Sequence, residues 1–125
     1  MTDSPRTIPH WIDGAHDAGA GDRTAPVYDP ARGVVTANVV LADGDDVARA
    51  VASAKAAFPA WRDTSLAKRQ TVLFRFRELL NERKGELAEI ITSEHGKVLS
   101  DAGGEIARGL EVVELATGFP HLLKG

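Results

Sequence analysis

The change from strand to helix that decides the fold lies in residues 34–58, VVTANVVLADGDDVARAVASAKAAF. Before Asp43, β-branched residues come in short runs that are typical of strands. After Asp43, the apolar residues Val47, Val51 and Phe58 recur at helical spacing and form one stripe. A carboxylate at Asp43 can accept hydrogen bonds from the first turn and so cap this helix. The sequence therefore predicts strands before this point and helices after it.

Turn signals predict two or three short antiparallel strands in a β-hairpin region over residues 10–42. The Asp-Gly pair at 13–14 is typical of a two-residue hairpin loop. The segment DPARG at 29–33 places a proline and a glycine where a turn between two further strands needs them. Residues 1–9 carry no such signals and are expected to form a flexible N-terminus.

About four amphipathic helices are predicted over residues 43–125, because apolar residues recur there every three or four positions. Such apolar faces need a partner surface. The helices could pack on one another as a bundle, or against a sheet that these residues do not contain. The expected boundaries are an end at Pro59, a start at Thr64 or Ser65, an end at Gly96, a start near Ser100 and an end before Phe119 and Pro120.

Composition excludes several classes of function. The chain has 125 residues, which suits one domain, and its 15 Lys and Arg against 18 Asp and Glu offer no positive field for nucleic acid. Cysteine is absent, which removes disulfides, thiolate metal sites and a thiol nucleophile. No signal peptide or membrane-spanning segment is apparent, so a cytoplasmic protein without a membrane partner is expected.

The residues alone reveal no catalytic, cofactor-binding or metal site. The four histidines do not have the spacing of a metal-ligand set, and no glycine-rich phosphate loop follows a predicted strand. Surface or capping positions are expected for His10, His16, His95 and His121, and packing roles for Trp11 and Trp61.

Arg108 is the candidate binding residue. It lies on the fourth predicted helix, off the inward apolar stripe and near its edge. The residues alone favour an ion pair with a carboxylate of the same helix, Glu105, Glu111 or Glu114. They leave open the alternative that the planar guanidinium receives the carboxylate of a ligand.

Six stretches together carry a family resemblance. Four of them are WIDG at 11–14, YDPARG at 28–33, AKAAFPAW at 54–61 and EHGK at 94–97. In this order they resemble the opening of the aldehyde dehydrogenases. Two more, GEIARGLEVVE at 104–114 and FPHLLKG at 119–125, resemble the CoA-acylating methylmalonate-semialdehyde dehydrogenases. The resemblance runs without a break from about His10 to Gly125.

The resemblance implies the α/β aldehyde dehydrogenase fold, with residues 43–125 as the helical, incomplete start of the NAD-binding domain. It also implies a reaction in which a thiolate attacks the aldehyde, hydride passes to NAD, carbon dioxide is lost and CoA takes the acyl group. Methylmalonate or malonate semialdehyde would give propionyl-CoA or acetyl-CoA, as in valine catabolism. The family's nucleophile and NAD motif follow the matched stretch, so these residues alone are expected to be inactive and to bind neither NAD nor CoA.

Within the resemblance, Arg108 matches the arginine that grips the substrate carboxylate. A turn that ends one helix and sets the direction of the next is matched by Glu94, Gly96 and Lys97. The chain is then expected to be the N-terminal piece of an enzyme whose remaining chain is its partner and which is a homo-oligomer when complete. The alternative from another class is a free-standing, non-catalytic helical module that binds a protein partner through its apolar stripes.

Overall fold

The strands of the chain form one three-stranded sheet and one separate hairpin. In the computed structural model, which describes residues 5–123, the sheet has the order β1-β5-β4, with β1 parallel and β4 antiparallel to β5. The hairpin pairs β2 with β3. The strands are β1 (Arg6–Ile8), β2 (His10–Ile12), β3 (Ala15–Asp17), β4 (Thr24–Asp29) and β5 (Val34–Val40).

Both predicted turns are confirmed. Asp13 has φ +53° and Gly14 has φ +75°, the paired left-handed values of the hairpin loop that matches strand twist. Gly33, at φ +68°, closes the β4–β5 turn and donates its N–H to the carbonyl of Asp29 at 2.8 Å.

The prediction of two or three strands over residues 10–42 was too low, since four form there, and it missed a further strand at the N-terminus. Residues 6–8, expected to be flexible, form β1, and Ile8 pairs in parallel register with Val39. The reason is non-local, because β5 offers a free edge to which a short β-branched segment can hydrogen-bond. Residues 1–4 of that predicted segment lie outside the described residues.

Helix α1 (Gly44–Asp63) begins where the sequence predicts it and continues past the predicted end. The Asp43 carboxylate accepts the N–H groups of Asp45 and Asp46 at 2.9 and 3.0 Å, which confirms the cap. The end at Pro59 was wrong, since Pro59 lies inside the helix. The residues around it are exposed, so the carbonyl that loses its hydrogen-bond donor remains open to water.

Four further helices follow up to residue 123, with α4 packed against both α2 and α3. The Ser65 hydroxyl accepts the N–H of Lys68, and Gly96 ends α3 at φ +81°, as predicted. Phe119 does not leave the helical region, because Pro120 falls in the first turn of a new short helix, where its missing N–H is not needed. The helices are α2 (Leu66–Glu82), α3 (Lys84–His95), α4 (Leu99–Thr117) and α5 (Phe119–Leu122).

The chain divides into two compact units, Met1–Arg62 and Asp63–Gly125. In the described residues of the first, Ala37 and Val40 are buried, and in the second, Ala88 and Ala102 are buried. The buried apolar side chains are thus small, and none of the described part's large side chains is fully enclosed.

Many large apolar side chains of the helices are exposed. On α1 the predicted stripe is open to solvent, with Val51 and Phe58 both more than half exposed. Both tryptophans are largely exposed, Trp11 at 66% and Trp61 at 49%, although Trp11 packs edge-on against His16 with ring centroids 4.9 Å apart. Within residues 5–123, no helix combines the length and apolar character needed to span a membrane.

Candidate functional site

Arg108 lies on the exposed side of α4. Two residues correspond to about 200° of rotation around a helix. Arg108 is two residues from each of the half-buried Ile106 and Leu110, so it points away from the packed side of α4. Its predicted place near the edge of the inward stripe was therefore wrong.

The predicted ion pairs of Arg108 are absent. Among residues 5–123, Arg108 forms no hydrogen bond or salt bridge, and two of the carboxylates assigned to it have other partners. Glu114 accepts from Nε and Nη2 of Arg77 on α2, at 3.0 and 2.6 Å. Glu105 pairs with Lys97. The ion-pair prediction failed because both competing cations come from outside α4.

Lys97 and Glu105 form a salt bridge beside Arg108. The Lys97 side chain is only 18% exposed, and its Nζ donates to Oε1 of Glu105. This hydrogen bond is the main reason why the pKa of Glu105 lies below its usual value. Partial loss of water opposes the shift, while Coulombic interactions with Lys97, His95 and Arg108 add to it. Glu105 is thereby held ionised next to a guanidinium that it does not contact.

The turn between α3 and α4 positions Lys97. Gly96 takes the left-handed conformation that ends α3, and its N–H donates to the carbonyl of Thr92 at 2.9 Å. Val98 is extended, and its carbonyl accepts the N–H of Ala102 at 3.2 Å, which starts α4. Lys97 therefore lies between two residues whose backbone conformations are fixed, and its side chain reaches the first turns of α4. The sequence indicated the turn, but not the salt bridge.

A second charged cluster lies at the start of α1. Asp46 is 2% exposed and accepts the N–H of Ala20 at 2.8 Å, the N–H of Asp43 at 3.0 Å and Nη2 of Arg49 at 2.7 Å. The hydrogen bond from Asp43 is the largest cause of its lowered pKa, which burial opposes and the other two contacts support. Arg49 also donates to Asp17 at 2.8 Å.

The cluster at Asp46 is structural. Asp43 and Asp46 each accept the other's backbone N–H, which is the reciprocal arrangement of a capping box with aspartate in both positions. The sequence indicated the cap at Asp43 but not the role of Asp46. The three-residue spacing of Asp43 and Asp46 was the signal that could have revealed the reciprocal pair. His10 lies nearby, with Nε2 3.7 Å from Oδ2 of Asp46.

The described residues bring no metal site together. No group of three or more His, Cys, Asp or Glu side chains in residues 5–123 is placed to hold a metal ion. An apolar groove between α3 and α4 is lined by Ala88, Gly103 and Ile106 among others, but not by Arg108. The exposed guanidinium of Arg108 is open to an anion.

The comparisons with known proteins agree on one family. The model of the aldehyde dehydrogenase family matches residues 17–125. The malonate-semialdehyde dehydrogenase of Pseudomonas aeruginosa is 46% identical over 119 residues, which cover 95% of this chain and 24% of that protein. This chain therefore spans about a quarter of the length of the curated relatives it matches.

Two solved structures are similar along nearly all of the chain. One is described as a methylmalonate-semialdehyde dehydrogenase from Sinorhizobium meliloti complexed with NAD, with 46% identity and a TM-score of 0.90 over 94% of this chain and 24% of that one. The other is a methylmalonate-semialdehyde dehydrogenase from Oceanimonas doudoroffii, with 43% identity and a TM-score of 0.91 over 96% of this chain and 24% of that one.

Proposed function

Because this chain belongs to the aldehyde dehydrogenase family, we propose that it is the N-terminal segment of an NAD-dependent, CoA-acylating dehydrogenase for malonate or methylmalonate semialdehyde. The products would be acetyl-CoA or propionyl-CoA, with loss of carbon dioxide, as in valine catabolism. Relatives named for these two substrates, each about four times the length of this chain, support the proposal. We assign the enzyme to the cytoplasm, whose reducing conditions keep a thiol nucleophile active.

The observation that carries the substrate assignment is the exposed, unpaired guanidinium of Arg108. In the described residues it has no hydrogen-bond partner, while Glu105 and Glu114 are held by other cations. A guanidinium presents two parallel N–H groups that match the two oxygens of a carboxylate. In this proposal Arg108 binds the carboxylate end of the semialdehyde and leaves the aldehyde end to the remainder of the enzyme.

The chemical step belongs to the remainder of the enzyme in this proposal. The chain contains no cysteine, so it supplies no thiol to attack the aldehyde. NAD would accept hydride and CoA would accept the acyl group, but the helix start after the sheet does not fit a phosphate of either group. Helix α1 directly follows strand β5, and the carboxylates of Asp43 and Asp46 cap its N-terminus, where a phosphate would need free N–H groups. We therefore propose that these 125 residues alone bind no cosubstrate and catalyse nothing.

The first experiment is an intact mass of the protein purified from its native source, with an assay of NAD reduction by the semialdehyde and CoA. A mass several-fold above that of 125 residues, in an active fraction, supports the proposal. In that enzyme, Arg108→Leu should raise the Michaelis constant for the semialdehyde roughly 10- to 150-fold, because a charge-assisted hydrogen bond contributes about 1.5–3 kcal/mol. The constant for an uncharged aldehyde should not change.

A matched control removes an arginine elsewhere. Arg32 is highly exposed on the β4–β5 turn in the first compact unit, so Arg32→Leu deletes one positive charge that does not belong to α4. This variant should leave both Michaelis constants unchanged. An equal effect of Arg108→Leu on the charged and the uncharged aldehyde would exclude the carboxylate role of Arg108.

A second candidate function rests on the exposed apolar faces. The stripe of α1 that includes Val47, Val51 and Phe58 is open to solvent, which would suit a free-standing helical module that binds a protein partner. Such a module would have the mass of 125 residues in its native source and a cooperative melt. Under the first proposal, these faces are covered by the remaining chain of the enzyme and by other subunits of a homo-oligomer.

A further inference from the structure

We propose that Lys97 is a positioning residue, which holds Glu105 away from Arg108 and so keeps Arg108 available for the carboxylate of the substrate. This inference rests on the proposed function, because it needs Arg108 as the carboxylate-binding group. It leaves Arg108 as the binding residue and adds two charges that do not contact the substrate, which makes a set of three. The third, Lys97, comes from the turn that precedes α4.

Glu105 is the natural competitor for Arg108. The two residues are three positions apart on α4, a spacing at which opposite charges are neighbours on the helix surface. Helical side chains lean towards the N-terminus, so the Arg108 side chain leans towards Glu105 rather than towards Glu111. Arg108 is near enough to contribute to the lowered pKa of Glu105. Nevertheless, Glu105 accepts its hydrogen bond from Lys97.

Lys97 has two advantages over Arg108 as a partner of Glu105. Its side chain is largely buried, at 18% exposed, so its charge is less screened by water than that of the exposed Arg108. Its backbone is fixed between the left-handed Gly96 and the extended Val98, so pairing restricts it less than it would a free surface lysine. The salt bridge also neutralises Glu105, which otherwise would repel an incoming carboxylate.

Removal of the lysine charge should let Glu105 pair with Arg108 in competition with the substrate. In the full-length enzyme, Lys97→Met should raise the Michaelis constant for the carboxylated semialdehyde roughly two- to fivefold, the range of an exposed ion pair. The turnover number and the Michaelis constant for an uncharged aldehyde should stay unchanged. Lys97→Arg, which keeps the charge, should behave like the wild type.

The decisive measurement is a rescue. Glu105→Gln alone should leave the Michaelis constant near the wild-type value, and Lys97→Met combined with Glu105→Gln should restore it, because the competitor is then neutral. Arg77→Met is the matched control, since it breaks the other salt bridge between α4 and a neighbouring element, Arg77 with Glu114. This control should not change the Michaelis constant for the semialdehyde, because Glu114 lies six positions from Arg108, outside the three- or four-residue spacing of neighbouring helix side chains.

The outcomes separate the two proposals. If the double variant keeps the raised Michaelis constant of Lys97→Met, or if Lys97→Met has no effect, then Lys97 is not a positioning residue and the inference is overturned. If Arg108→Leu affects charged and uncharged aldehydes equally, the proposed function of Arg108 fails instead. Full rescue together with a selective effect of Arg108→Leu supports both.

Discussion

Gly19 is a position where the structure predicts the cost of a single added methyl group. Gly19 has φ +81°, a left-handed conformation that destabilises an L-residue by about 1–2 kcal/mol. A Cβ atom at this position would also lie 2.8 Å from Cγ1 of Val40 and 3.3 Å from Nε2 of His10. Val40 is 8% exposed, so its methyl group has little room to move. Overpacking of this kind adds about 1–3 kcal/mol.

The Gly19→Ala variant should therefore lower the free energy of unfolding by about 2–5 kcal/mol. Gly14→Ala is the matched control, because Gly14 has φ +75° but a Cβ there would meet nothing within 4 Å. Its free energy of unfolding should fall only by the cost of the left-handed conformation, about 1–2 kcal/mol. The difference between the two variants isolates the contact with Val40 and His10.

Urea unfolding followed by the fluorescence of Trp11, which lies on β2, measures both variants. At typical urea dependences, the contact should separate their midpoints by roughly 1 M. Val40→Ala in the Gly19→Ala background should recover part of the lost free energy of unfolding. The double-mutant cycle should then show a favourable coupling energy between the two positions. Equal midpoints for the two glycine variants would show that no steric contact exists at Gly19.

Two further predictions concern stability. Because the folded state lowers the pKa of Asp46, its contribution should be fully present above the ordinary aspartate pKa near 3.8 and be lost as the pH falls through the lowered value. Asp46→Asn should thus destabilise the protein at pH 7 and weaken its acid dependence, as measured by urea midpoints between pH 2 and 7. Gly109→Ala should stabilise α4 by about 0.5–1 kcal/mol, because Gly109 lies in the helix interior and an added Cβ would meet nothing within 4 Å. A lower thermal midpoint for this variant would contradict the open position of Gly109.

Local signals predicted much of the architecture. Asp43, Ser65 and Gly96 act within three or four residues of the chain, and each ends or begins a helix as expected. The Asp-Gly loop at 13–14 also needs only its own backbone preferences. The path of α1 through Pro59 was missed because tolerance of a proline depends on whether water reaches the surrounding backbone, which no local pattern reports.

The candidate site was only partly predictable for the same reason. Residue type and resemblance identified Arg108, but helix spacing alone predicted a salt bridge that does not form. Glu105, which neighbours Arg108 at helix spacing, is paired with Lys97 from the turn before α4, and Glu114 is paired with Arg77, more than thirty positions away along the chain. Competition among charges from different elements arises only in the folded structure. The spacing of residues within one helix therefore cannot predict it.

The reciprocal cap at the start of α1 has a consequence for how this part of the protein opens. One buried carboxylate, that of Asp46, holds both the N–H of Asp43 at the helix end and the N–H of Ala20 in the loop after β3. Neither N–H can be released without exposing the same charge-bearing group to water. The loop and the helix end are therefore expected to exchange their amide hydrogens through one shared local opening, although 23 positions of sequence separate the two amides.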